Sequence, residues 1–271
     1  PAIVSIPDAN FEQHLLEIGI DKDGTLNGQV LKQDIINVFS LNISEKNISD
    51  LTGIQDFRAL KFLIAKDNNI INLDISDNVF LETLDLNGNE LTEIDISKNI
   101  KLKSLNVSSN QLTSLDISDN VNLEGLTSAN NNISTIDFTN NSKLDYITLS
   151  GNKFQIIDIS MLAALKTLYI GSNELTLLDV SKNSKLSILH CSNNQITNLN
   201  IESNLLLHEL YTSNNLITRL DASKNKWLTK LFIPNNKLVS LTTKNETDSD
   251  FNTNNFSTKG NPDLYCIQVD D

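Results

Sequence analysis

The stretch LETLDLNGNELTEIDISKNIK, from Leu81 to Lys101, decides the fold, because the chain repeats it. Steps of 21 residues from Leu60 land on Leu81, Leu102, Leu123, Leu144, Leu165, Leu186, Leu207 and Leu228, leucine each time. Eight residues beyond each leucine stand Asn68, Asn89, Asn110, Asn131, Asn152, Asn173, Asn194, Asn215 and Asn236. The unit reads L-x-x-L-x-L-x-x-N-x-L-x-x-L-D-x-S-x-N-x-x. A further unit with one extra residue precedes these, through Val38, Leu41, Ile43, Ile48 and Leu51. A fixed period of this size is the signature of stacked repeats and takes precedence over local structure.

Each part of the unit has a physical task. L-x-x-L-x-L alternates apolar and polar residues at period two, the pattern of a strand with one buried face. One such strand cannot bury that face alone, so copies must stack into a parallel sheet over a continuous core. The asparagine at the ninth position is expected to satisfy backbone groups that the bend takes out of the sheet. The half L-x-x-L-D-x-S adds apolar contacts such as Leu112 and Leu115. It is too short for a long helix, so an extended or turn-like back follows. The fold class expected is a leucine-rich-repeat solenoid, an α/β-type repeat class built mostly of short parallel strands, with ten coils over 38–248.

The rest of the composition narrows the function. Of 271 residues, 21 are basic and 34 acidic, a net charge of −13, which would repel nucleic acid and anionic membrane. No apolar run is long enough to span a bilayer, so no membrane insertion is expected, and Pro1 opens the chain without a signal-peptide pattern. There is no H-E-x-x-H, G-x-S-x-G, phosphate-cradling glycine loop or cysteine pair at zinc spacing, so neither an enzyme nor a bound cofactor is expected. His14, His190 and His208 have no motif around them.

The pattern resembles bacterial leucine-rich repeats, above all the internalin-type 21-residue variety with cysteine at the sixth position. LSILHCSNNQITNLNIESNLL (Leu186–Leu206) fits that variety, with Cys191 at the ladder position. Other coils carry Leu86, Val107, Ser128, Leu149, Ile170 and Thr212 there, so no cysteine ladder forms. The resemblance covers about residues 38–248 and implies a bacterial binding scaffold, secreted or on the cell surface. A protein or glycan ligand and a monomeric state are the corresponding expectations. A structural spacer or surface-layer element of a longer protein is the alternative.

Residues 1–37 do not repeat. Asp8 is a candidate N-cap, Phe11, Leu15 and Ile18 follow at helical spacing, and Gly19 is the stop. This reads as a helical cap over the first coil, and such caps precede similar repeats in secreted bacterial proteins. Residues 249–271 are expected to form a loop and partial cap, with Phe251 and Phe256 folded over the last coil. The abrupt end of DLYCIQVDD suggests that the natural chain continues. Where other coils have Ser-x-Asn, Ser160-Met161-Leu162-Ala163-Ala164 is expected to form a single helical turn.

Three columns and one loop invite a functional reading. Asp74, Asp95, Asp116, Asp137, Asp158, Asp179 and Asp221, with Asn200 among them, are read as Asx-type turns rather than a calcium row. Thr92, Thr113, Thr176, Thr197 and Thr218, with Ser134, suggest an ice-binding ladder, but Ile71, Gln155 and Val239 interrupt it. In the cap, Asp23, Thr25, Asn27, Gly28, Val30 and Asp34 fall at positions 1, 3, 5, 6, 8 and 12 of an EF-hand-like loop. A plain polar turn is the expectation there, with no metal and no calcium response. The fifth position of each unit must point outward onto the concave sheet. It reads Ile64, Asp85, Asn106, Thr127, Thr148, Tyr169, His190, Tyr211 and Phe232. The ligand site is therefore expected on the C-terminal half, at Tyr146, Tyr169, His190, Tyr211 and Phe232. The rings would stack on sugars or anchor a protein, with Asn193, Asn214 and Asn235 beside them. Cys191 and Cys266 are expected as free thiols.

Overall fold

The computed structural model describes residues 2–243 and 254–268. The chain forms two compact units, Pro1–Ile133 and Ser134–Asp271. In the first, β1 (Ile3–Ser5) pairs antiparallel with β2 (Gln29–Leu31), on either side of α1 (Ala9–Glu17), and α2 (Lys32–Ile35) follows. Asp8 caps α1: its Oδ1 accepts the N–H groups of Asn10 and Phe11 at 2.9 and 3.0 Å. Its Oδ2 accepts the N–H groups of Ser49 and Asp50, which ties the cap to the first coil. Phe11 and Leu15 are fully buried, but Ile18 is 47% exposed because the helix has ended by Glu17.

The coils of this unit begin with β3 (Ser40–Asn42), β4 (Phe62–Ile64), β5 (Thr83–Asp85), β6 (Ser104–Asn106) and β7 (Gly125–Thr127). Neighbours pair in parallel and in register, so Leu41, Leu63, Leu84, Leu105 and Leu126 form one buried row. The turn asparagine works as expected. Asn110 Nδ2 donates to the carbonyls of Leu86 (3.0 Å) and Val107 (3.1 Å), and its Oδ1 accepts the Leu91 N–H at 3.0 Å. One amide thus joins its own bend to the preceding coil, and Asn68, Asn89 and Asn131 are buried in the same place.

A second asparagine ladder, which the repeat shows only as the end of Ser-x-Asn, lies deeper still. Asn78, Asn99 and Asn120 are wholly buried. Asn99 Nδ2 donates to the carbonyls of Ile75 and Asn78, both at 3.0 Å. The turns on both sides of the coil are therefore held by amides reaching back one repeat.

In the second unit, β8 (Tyr146–Thr148), β9 (Thr167–Tyr169), β10 (Ile188–His190) and β11 (Glu209–Tyr211) continue the pattern. Then come β12 (Arg219–Asp221), β13 (Lys230–Phe232), β14 (Ser240–Thr242), β15 (Phe256–Ser257) and β16 (Cys266–Gln268). The sheet passes from β11 to β13 and β15, while β12, β14 and β16 pair as a second parallel sheet. Within the expected loop and partial cap, the segment 254–268 forms a partial coil. Asn261 fills the turn position, donating to the Ile233 and Thr258 carbonyls at 2.9 and 2.8 Å and accepting from Leu238 N–H at 3.0 Å. Phe256 joins the sheet over the last full coil, and Phe251 lies outside the described residues.

Residues 160–164 do not form the helical turn expected of them. They make the same paired turns as other coils, with Leu162 fully buried where Asn would stand. Stacking overrides local propensity here: Asn183 Nδ2 still donates to the Ile159 and Leu162 carbonyls at 2.9 Å each, which fixes the backbone path.

The aspartate column does form Asx turns, Oδ1 accepting the N–H two residues on, as in Asp95 to Ser97 at 2.9 Å. Backbone N–H bonds and then hydroxyl bonds hold Asp74, Asp95 and Asp179 below the ordinary carboxyl range. For Asp137 and Asp158 the hydroxyls of Thr139 and Ser160 lead. A depressed folded pKa means that the unfolded chain takes up protons first as the pH falls. The stability these turns add is complete above the unfolded carboxyl value, about 3.9, and is lost below it. Melting temperature is expected to hold level down to about pH 5 and to decline below about pH 4. Asn200 makes the same turn without charge, at 2.9 Å to Glu202 N–H. Asp→Asn variants of the column should therefore blunt the acid decline, and an unchanged decline would assign it to other groups.

Candidate functional site

The ring column lies within the second unit, and strand register builds it. Thr148 pairs with Tyr169, Tyr169 with His190, His190 with Tyr211 and Tyr211 with Phe232. The leucine or isoleucine before each is buried, which turns these side chains to the opposite face. Ring centroids are 4.8 Å apart for Tyr169–His190, 3.8 Å for His190–Tyr211 and 5.0 Å for Tyr211–Phe232, the last pair only 5° from parallel. Tyr146, at the start of β8, reaches Tyr169 diagonally at 6.2 Å. The structure thus brings all five expected site residues into one ladder.

Polar groups border it. Lys230 Nζ lies 2.8 Å from Glu209 Oε1, and Tyr211 Oη donates to Glu209 Oε2 at 3.3 Å. Burial pushes the Tyr169 and Tyr211 hydroxyls above their ordinary values. Burial also pulls His190 down, against the opposing attraction of Glu209, so the imidazole favours the neutral form. Asn193, Asn214 and Asn235 adopt left-handed backbone and bond one another, Nδ2 to Oδ1 at 2.7 and 2.8 Å. Those amides are engaged in their own ladder.

The stacking has a chemical consequence. A ring whose face lies against the next ring offers an outside molecule its edge and, for tyrosine, its hydroxyl. Sugars stack on open aromatic faces; the Tyr211–Phe232 pair covers the faces between its rings, while Tyr169–His190 and His190–Tyr211 are tilted by 40° and 33°. Ring edges carry the positive side of the quadrupole and favour carbonyl and carboxylate oxygens. Cys191 is buried, and burial pushes its thiol up to about 12, so this thiol is not an activated nucleophile. Both cysteines are free thiols. Among the described residues, no cluster of three or more His, Cys, Asp or Glu side chains could hold a metal. No helix among them is long and apolar enough to cross a membrane.

Two exposed aromatic groups escaped the sequence reading. Phe39 and Phe62, 62% and 38% exposed, mark the first strands of the first unit. In the second unit Trp227 is 60% exposed and lies 6.1 Å from the His208 ring at 19° to it. The signal for Trp227 was its column, where Leu206 stands one repeat earlier, also exposed.

The repeat, the parallel strands and the paired asparagine turns define a leucine-rich-repeat protein. No family model and no curated relative matches the chain. Among solved structures, the functional domain of InlJ from Listeria monocytogenes, which includes a cysteine ladder, superposes with a TM-score of 0.77 at 28% identity. The match covers 99% of this chain and 62% of that one, so the chain spans less than two thirds of its length. The internalin InlF from the same organism gives 0.59 at 19% identity, covering 98% of this chain and 91% of that one. A leucine-rich-repeat protein from Leptospira interrogans gives 0.59 at 23%, covering 80% and 62%; these two bear on the fold alone. The chain has a leucine-rich-repeat solenoid fold that matches the internalin type.

Proposed function

We propose that the protein is a secreted or cell-surface binding module, not an enzyme, which holds a protein partner on the ring ladder of its second unit. The observation that carries the reading is the continuous run of ring contacts from Tyr169 to Phe232, half-buried and bordered by the Glu209–Lys230 pair. Phe, Trp and Tyr make up only 6% of the chain, yet four of them gather with His190 on one strip. Tyrosine is a common anchor where a rigid, partly apolar contact is wanted. Rings packed this closely on one another favour a protein ligand, whose carbonyl and carboxylate oxygens can meet ring hydrogens and the tyrosine hydroxyls, over a glycan that needs open faces.

The test compares the native protein with a Tyr169→Ala/Tyr211→Ala variant. Immobilised native protein is expected to retain a protein from extracts of its own surroundings and to leave a glycan array blank. The variant, still folded by circular dichroism, should bind the retained protein at least about tenfold more weakly. Undiminished binding by a folded variant would move the site off the ladder. Specific glycan binding that the double substitution abolishes would keep the site and change the ligand class.

A further inference from the structure

The loop after α1 carries more negative charge than its surroundings answer. Glu12, only 2% exposed, is engaged through one oxygen: Oε1 accepts the N–H groups of Asn27, Gly28 and Gln29 at 2.8, 2.8 and 3.2 Å. It clamps the loop from behind. Asp21 is 3% exposed, and its Oδ1 accepts the Asp23 N–H at 3.2 Å. The Asp34 side chain is 5% exposed, and its Oδ1 faces Lys22 Nζ at 3.1 Å, a lysine side chain 68% exposed. The second oxygens of Asp21 and Asp34 are both buried without any hydrogen-bond donor. A buried carboxylate oxygen left bare is costly unless a cation or donor meets it.

The Asp21 carboxylate lies within repulsive range of the Asp23, Glu12 and Asp34 charges. Oxygen-bearing side chains crowd the outer part of the loop. Asn27 Nδ2 stands 2.6 Å from Asp23 Oδ2 and 2.9 Å from Thr25 Oγ1. Asn27 Oδ1 accepts the Gln29 N–H at 3.1 Å, so the amide would have to give up that bond and turn over to offer its oxygen to an ion. Gly28 makes the sharp turn at φ +78, Val30 is buried in β2, and Asp34 follows on α2. These are the glycine, apolar and exit-helix positions of an EF-hand-like loop.

We propose that this loop is a binding site for a divalent cation of the calcium class, held by Asp21, Asp23, Asn27 and Asp34. Among the described residues no three acidic side chains already stand grouped for a metal, so Asp21, Asp23 and Asp34 must draw together around the ion and offer it, with Asn27, only carboxylate and amide oxygens. That is the donor chemistry of a hard cation, not of a transition metal. Lys22 occupies the outer oxygen of Asp34 and must swing into solvent when the ion enters. The sequence alone led to the opposite expectation, because it showed neither the burial of Asp21 nor the two bare oxygens.

The experiment strips the full chain with a chelator and titrates calcium, reading heat and melting temperature together. One ion is expected to bind and to raise the melting temperature by several degrees at millimolar calcium. An Asp21→Asn/Asp34→Asn variant should melt higher than the native chain without calcium and bind the ion at least about tenfold more weakly. A Lys22→Met variant should bind it more tightly, because the competing cation is gone. No heat and no shift in the native chain would overturn the site. So would a double variant that titrates like the native protein or, if that variant does not fold, a Lys22→Met affinity that is unchanged or weaker.

Discussion

Asn131→Ala is expected to destabilise the protein by about 1–3 kcal/mol, read as a fall of several degrees in melting temperature. Asn131 Nδ2 donates to the Val107 carbonyl at 2.9 Å and more loosely to Ser128 and Ala129, while Leu112 N–H donates to its Oδ1 at 3.0 Å. The residue is 5% exposed, so alanine strands these backbone groups where water has little access. Asn131→Asp should be worse than alanine, because an ionised carboxylate would face carbonyl oxygens in a buried bend. The exposed neighbour supplies the control: Asn132→Ala leaves the backbone bond from residue 132 to Leu112 untouched and should change little. Equal melting of Asn131→Ala and native protein would show that the turn is held by the leucine rows alone.

The same residues explain what could be read from the chain and what could not. The leucine and first asparagine columns are legible because a period of 21 leaves them one structural place. The second asparagine column was visible as letters, but an asparagine two residues after serine also suits a solvent turn. Its full burial follows only when the coils stack. Leu162, at that place in one coil, looked like a helix former because its neighbours are apolar, and the adjoining coil's amides overrode that preference. The coil at 254–268 lacks the leucine pair, with Phe256 and Thr258 in those places, so Asn261 gave a weak signal. In the candidate site, membership of the ladder followed from position alone. Which part of each ring meets solvent depends on side-chain torsions, and these decide between sugar stacking and contact with ring edges.

Gly53→Ala is expected to cost more than any single turn asparagine, about 2–5 kcal/mol when backbone strain and overpacking are added. Gly53 sits at φ +99 and ψ −16, just before the short 3₁₀ turn Ile54–Asp56 of the first coil, a conformation that disfavours any residue with a Cβ. A Cβ there would also stand 2.6 Å from the Ser5 carbonyl oxygen, against the Ile6 Cδ1 methyl and 3.2 Å from Val4 Cγ1. A methyl group can rotate away; the Ser5 oxygen cannot move without β1. That strand is fixed on its other side, where Val4 pairs with Val30 and Ile6 N–H donates to the Gly28 carbonyl at 2.9 Å. The substitution therefore has to lift the β1–β2 pair from the first coil and uncover Val4 and Ile6, which are 6% and 0% exposed. The expected signature is a lowered melting temperature together with early hydrogen exchange at Val4 and Val30, while the row from Leu63 to Leu126 stays protected. Gly125→Ala provides the contrast, since a Cβ at that strand position meets nothing within 4 Å. If Gly53→Ala melted with the native protein and kept its protection at Val30, the cap would be resting on side chains that can adjust. The carbonyl of Ser5 held against a bare α-carbon would then play no part in closing the first coil.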